Sequence, residues 1–191
     1  IFKIFNNSGN WTTASNLVTA IQSCKNAGAK VVNMSLGGSS STATEQNALA
    51  SFYQGGMLLV AAAGNAGNSS LSYPASYSSV MSVAAVDSSR NRASYSQYNS
   101  QVEIAAPGSS VYSTYKNNSY STLSGTSMAT PHVTGVAALV WSQFPSCTPA
   151  RIRTALTATA QDRGTAGRDV YYGFGIVRAQ NAVSYLQTNG C

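Results

Sequence analysis

Two apolar runs joined by a helical pattern limit what this chain can fold into more than any other feature. Met57-Leu-Leu-Val-Ala-Ala-Ala63 contains no polar residue, so as a strand it is buried on both faces. Gly55-Gly56 breaks the chain before it, and Gly64-Asn65-Ala-Gly67 breaks it afterwards. Lys30-Val-Val-Asn-Met-Ser35 reads as a second buried strand, with a helix over roughly Ser41 to Tyr53 between the two. An earlier helix, capped by Thr12 or Thr13, runs to about Ala27, with Leu17, Val18, Ile21 and Cys24 on one face and Gly28 ending it. Strand and helix alternating at this spacing is βαβ architecture: an α/β fold with a mostly parallel sheet covered on both faces.

The remaining pattern extends that reading. Val80–Val86, Val102–Ala106 and Val111–Tyr115 are further strands, and Ile1 to Phe5 alternates like a strand before the loop residues Asn6 to Asn10. Pro149 to Thr159 is an amphipathic helix with Ile152, Ala155 and Leu156 inward, and a final helix spans Ala179 to Leu186. No repeat or linker divides the chain, so residues 1–191 read as part of one domain. The opening run has no charged leader or long apolar core and is not a signal peptide; it reads as the middle of a fold.

Composition excludes several classes. Charged residues are 8% of the 191 positions, and the eleven Lys and Arg behind the net charge of +6 are scattered. They form no basic stripe with interleaved aromatics, so no nucleic-acid partner is expected. No apolar run is long enough for a transmembrane helix, so no membrane partner is expected either. One histidine and three cysteines without a Cys-x-x-Cys pair argue against zinc. Low charge and a terminal cysteine fit a secreted protein with disulfides. Cys147 with Cys191 is one pairing that closes the C-terminal segment, leaving Cys24 free or paired outside the chain; sequence leaves the connectivity open.

Leu123 to Val140 changes character midway. Leu123-Ser-Gly-Thr-Ser is small and polar, whereas Val133, Val136, Ala137, Leu139 and Val140 predict a helix buried on most sides. Ser127 sits at the junction, where a serine is either an N-cap or a nucleophile favoured by the helix dipole. Pro131 is expected within the first turn, where a missing N–H matters least.

The nine residues Gly125-Thr-Ser-Met-Ala-Thr-Pro-His-Val133 resemble the nucleophile motif of the subtilisin-like serine proteases. Ser35-Leu-Gly-Gly38 and Ala61-Ala-Ala-Gly-Asn65 resemble that family's substrate cleft and precede the nucleophile in the family's order. The resemblance implies the family's three-layer α/β/α fold, with Ser127 as nucleophile. It implies Asn65 and the Ser127 N–H as donors to a developing oxyanion. Ser35, Leu36, Gly37 and Gly38 would form one wall of the cleft and Ala62 and Gly64 the other, with Ser72 near the base. Ser8 and Gly9 would pair with extended peptide. Plainer roles compete: turn glycines, and an Asx-turn asparagine. Tyr73 to Val80 resembles a family loop that binds a structural calcium or other cation. Its ligands would be the carbonyls of Ala75, Tyr77 and Val80, or of Ser78 and Val80, with the Glu103 carboxylate. Gln101 stands where some relatives carry a second acid, and a solvated Glu103 is the alternative. No cofactor is required for the chemistry.

A serine nucleophile needs a base and a carboxylate to orient it. His132, five residues after Ser127 on one helix, is about 140° around the axis and ~7.5 Å along it, so it is not that base. Asp87, Asp162 and Asp169 lie in no string resembling the family's acid motif. The family's order of Asp, His, Ser places both missing groups before Ile1. The resemblance thus implies the C-terminal two-thirds of a peptidase domain. The protein would be a secreted serine endopeptidase acting on protein or peptide substrates. Its partners would be the N-terminal portion carrying Asp and His, and a propeptide or inhibitor. The alternative is a catalytically inactive peptide-binding fragment or pseudoprotease. A lipase-type Gly-x-Ser-x-Gly elbow is not matched by Gly125-Thr-Ser-Met-Ala129.

Overall fold

The computed structural model describes residues 1–6 and 13–191. Four strands form a parallel sheet in the order β1 (Val31–Met34), β2 (Leu58–Ala62), β3 (Val80–Val86), β4 (Val102–Pro107). Strands β2 and β3 are buried at every position, as their uninterrupted apolar sequences require. Alternation sends Leu58 and Val60 to one face and Leu59 and Ala61 to the other. The first face packs on α3 (Thr126–Gln143), α4 (Pro149–Ala158) and α5 (Ala179–Asn189) through Val133, Ala137, Ile152, Leu156 and Leu186. The second packs on α1 (Ala14–Asn26) and α2 (Ala43–Gln54) through Leu17, Ile21, Leu49 and Phe52. The fold is therefore the expected three-layer α/β/α arrangement. Cys147 and Cys191 form a disulfide across 44 residues, and Cys24 is a free thiol. By loop-closure entropy a cross-link of that span stabilises the fold by about 4 kcal/mol.

Val111–Tyr115 is a strand as expected (β5); it pairs antiparallel with Ser119–Leu123 (β6) in a hairpin separate from the main sheet. Asn117 and Asn118 turn it at φ 58° and 54°, a conformation asparagine tolerates better than most residues. Three local expectations are corrected. Within Ile1 to Phe5, a β-bridge at Phe5 stands where a strand was expected. Helix α3 buries one face but exposes Pro131, His132, Gly135, Ala138 and Leu139 among the described residues. Pro131 lies beyond the first turn, as the sixth helical residue after the Gly125 cap. It therefore removes a bond that the Ser127 carbonyl would otherwise accept.

Helix α2 begins on a modified capping box. Thr42 Oγ1 accepts the Glu45 N–H at 3.1 Å, but the Glu45 carboxylate does not return to the Thr42 N–H. Tyr77 stands between them: its hydroxyl accepts from Thr42 N at 3.0 Å and donates to Glu45 Oε2 at 3.0 Å. Burial pushes the Glu45 carboxyl up, against the lowering effect of the tyrosine bond. Burial first, with the neighbouring carboxylate adding to it, pushes the Tyr77 phenol up to about 12. A raised carboxyl means the folded state holds the proton more tightly than the unfolded chain. Its contribution is favourable below the unfolded pKa and is lost as pH rises through the folded one. Glu45→Gln keeps an acceptor for Tyr77 and abolishes the charge. Its melting temperature is expected to exceed wild type at neutral pH, with the gap closing towards about pH 4.3. Paired thermal melts across pH check this; a constant gap would contradict it.

Candidate active site

Strand ends β1 and β2 and the start of α3 converge on one cleft of about 680 Å³, beside Ser127, Asn65 and Thr126. This is where an open parallel sheet places ligands, at the carboxyl ends of its strands. Leu36, Gly37 and Gly38 line one side, Ala62 and Gly64 the other, and Ser70, Ser72 and Gln97 also contribute. Ser35 is not among the lining residues; its side chain bonds the Ser127 carbonyl instead. No charged side chain lines the cleft among the described residues. Ser8 and Gly9, expected as strand-like peptide contacts, lie outside the described residues.

Two glycines are demanded by close approach. A Cβ at Gly37 would stand 2.5 Å from Ser72 Oγ, and one at Gly64, where φ is +110°, would stand 1.9 Å from Gln97 Oε1. The Leu36–Gly38 wall is tied to the segment carrying Ser72 by reciprocal bonds of 2.8 Å between the Gly38 and Tyr73 backbones.

Asn65 is oriented by α3. Its Oδ1 accepts both the Thr126 N–H at 2.8 Å and the Thr126 hydroxyl at 2.9 Å. The same Thr126 oxygen accepts the Gly64 N–H at 3.2 Å, closing a ring around the Gly64–Asn65 turn. With the amide oxygen held towards the helix, the NH2 group turns outward and donates to no protein acceptor among the described residues. The Ser127 N–H likewise has no protein acceptor there. Two free donors beside one hydroxyl are a means of receiving negative charge as a carbonyl becomes tetrahedral.

Ser127 is not the helix cap; Gly125 is, and Ser127 is the second helical residue. Its hydroxyl donates to the Ser35 carbonyl at 3.2 Å, and Ser35 Oγ donates back to the Ser127 carbonyl at 2.8 Å. That second bond satisfies the carbonyl which Pro131 leaves without a helical partner. His132 is exposed with Nδ1 on the Met128 carbonyl at 2.8 Å, so it serves its own helix.

The five acids are all engaged elsewhere. Asp87, Asp162 and Asp169 accept backbone N–H groups within turns, Glu45 holds Tyr77, and Glu103 holds Arg153. A base and its orienting acid are therefore absent from the site among the described residues.

Glu103 also departs from the expected cation loop. Both its oxygens bond the Arg153 guanidinium, which donates in addition to the carbonyls of Ser78 and Val80. The Tyr77 carbonyl accepts the Val80 N–H at 2.9 Å, and Ala75 is buried. With the guanidinium on Glu103 and on the Ser78 and Val80 carbonyls, the only carboxylate of the expected set is taken, and that arrangement does not fit a calcium ion.

Thr126 and Gln97 were not predicted. Gln97 accepts from Ala66 N at 3.3 Å and donates to Ser70 O at 2.7 Å, bracing the loop that carries Asn65.

The Subtilase family model matches residues 1–175. The chain belongs to the subtilase family. It is 44% identical over 184 residues to subtilisin DY of Bacillus licheniformis, covering 94% of this chain and 66% of that protein. It is 46% identical over 178 residues to thermitase of Thermoactinomyces vulgaris, covering 93% and 61%. Among solved structures, the psychrophilic subtilisin-like protease Apa1 from Pseudoalteromonas sp. AS-11 superposes with a TM-score of 0.91 at 32% identity. That match covers 98% of this chain and 77% of the Apa1 chain. The chain spans about half to two-thirds of the length of the curated relatives it matches.

Within this subtilase cleft, Thr126 holds the Asn65 amide through two bonds, of which Thr126→Val removes the one from the hydroxyl. In the intact protein that variant is expected to lower kcat up to about tenfold with KM nearly unchanged, a loss on the scale of one neutral hydrogen bond. Steady-state kinetics on a chromogenic peptide check this. A rise in KM at constant kcat would instead place Thr126 in substrate binding.

Proposed function

We propose that this chain supplies the nucleophile, oxyanion donors and substrate cleft of a secreted serine endopeptidase. The observation that carries the reading is the paired clamp of Thr126 on Asn65 Oδ1, which leaves the Asn65 NH2 and the Ser127 N–H free beside the Ser127 hydroxyl. The Ser127 Oγ attacks the scissile carbonyl, the two donors receive the oxyanion, and water hydrolyses the acyl-enzyme. An uncharged cleft with alanine and glycine walls suits a large uncharged side chain before the scissile bond. Protein or peptide substrates enter it, as would a propeptide or inhibitor strand.

The base and its acid come from polypeptide outside these residues. Two features support a further part of the domain against this chain: β1 has a neighbour on one side only among the described strands, and Leu139 on the bare face of α3 is 50% exposed. In this reading that part rotates the Ser127 hydroxyl from the Ser35 carbonyl to an imidazole. The Cys147–Cys191 disulfide and the low charge support export to an oxidising compartment. An inactive peptide-binding fragment is the second reading, favoured by the absence of a base beside Ser127 among the described residues.

Kinetics on the intact protein separate the two. Ser127→Ala is expected to abolish peptide hydrolysis while peptide binding persists. Asn65→Ala is expected to lower kcat about 10²–10³-fold, the magnitude known for the corresponding donor in subtilisin rather than one derived from this geometry. Wild-type protein that binds peptide without turning it over would establish the inactive reading.

A further inference from the structure

We propose that Arg153 is the resident cation of the Tyr73–Val80 loop, its guanidinium taking the oxygens that a bound metal ion would need. Arg153 projects from α4 towards the starts of β3 and β4. Its Nε donates to Glu103 Oε1 at 2.5 Å and its Nη2 to Glu103 Oε2, a bidentate pairing. Its remaining donors reach the Ser78 carbonyl at 2.9 Å and the Val80 carbonyl at 3.3 Å. One planar fork thus serves a carboxylate and two carbonyls at once, which the point charge of a lysine does not reproduce.

The surroundings hold the group in place. Glu103 is 8% exposed, and Tyr53 presents its ring 5.5 Å from the guanidinium carbon. Burial opposes the charge on Arg153, but the bond and charge of Glu103 outweigh it and strengthen protonation. A second guanidinium borders the same depression of about 250 Å³, where Arg168 donates to the Ser100 and Val102 carbonyls. Two arginines facing one carboxylate leave the depression net positive. A calcium ion ligated at about 2.3–2.6 Å by the same oxygens would overlap the guanidinium and be repelled by both arginines.

The consequence reaches the substrate cleft. The loop that Arg153 holds begins at Tyr73, next to the cleft residue Ser72, and the Tyr73 backbone is bonded to Gly38 of the cleft wall. A covalently attached cation keeps that wall in place at any ion concentration and in the presence of chelators. This inference rests on the geometry around Arg153 and stands independently of the catalytic reading.

Removing the arginine should convert the cradle into a true metal site. Arg153→Ala, Arg153→Gln, Glu103→Gln and Arg153→Ala/Glu103→Gln are compared with wild type in the intact protein. The readouts are melting temperature in chelator or calcium, and terbium luminescence sensitised by Tyr53 and Tyr77. Wild type is expected to show no terbium signal that Glu103→Gln removes. Arg153→Ala is expected to melt about 10 °C lower in chelator, because a buried carboxylate loses its partner. Calcium at about 10 mM should then restore about 3–6 °C through a millimolar site, and terbium should luminesce. Adding Glu103→Gln to Arg153→Ala should abolish both effects. Arg153→Gln, whose amide still donates to the loop carbonyls, should show a smaller loss and a smaller calcium recovery. A Glu103-dependent terbium signal in wild type, or no calcium recovery in either single arginine variant, would overturn the proposal.

Discussion

The first turn of α3 is tied to two strand ends, and the shape of the cleft depends on those ties. From β2, Asn65 receives both donors of Thr126; from β1, Ser35 exchanges hydrogen bonds with Ser127. Neither contact stabilises the fold much by itself, since a neutral hydrogen bond contributes only about 1 kcal/mol net. Their value lies in direction. They fix which way an amide and a hydroxyl point, and the apolar packing of Val133 and Ala137 beneath prevents the helix from shifting away.

Pro131 shows how backbone chemistry is reused at this junction. A proline inside a helix normally leaves a carbonyl unsatisfied. Here that carbonyl belongs to Ser127, and the Ser35 hydroxyl occupies it. The irregularity in α3 thereby becomes an attachment point between helix and sheet. Arg153 repeats the logic on the far side of the cleft wall, where one side chain satisfies a buried carboxylate and two loop carbonyls.

Much of the framework was legible because its signals are local. Continuous apolar runs at β2 and β3, the threonine cap at Thr13, and glycines at the breaks act through neighbouring residues. The motif around Ser127 and the Ala-Ala-Ala-Gly-Asn string identified the cleft by resemblance. Strand β6 was missed because Ser-Tyr-Ser-Thr-Leu is exposed and has no apolar alternation, although Asn117-Asn118 was a turn signal within reach. Thr126, Gln97 and Arg153 were missed for another reason. Their partners lie 61, 31 and 50 residues away in sequence, and nothing local distinguishes such residues from ordinary polar positions. The same limit applies to Glu103, which the family resemblance suggested as a cation ligand, while its arginine partner lies 50 residues away on α4.

The central claim is that Ser127 is a nucleophile made reactive by groups outside these residues. Treating the intact native protein with a sulfonyl or phosphonyl fluoride, then mapping the adduct by peptide mass, tests it most directly. The account predicts one covalent adduct, on the peptide containing Ser127, that is lost when the protein is unfolded before treatment. An unlabelled Ser127 in the native protein, or an adduct confined to another residue, would contradict it.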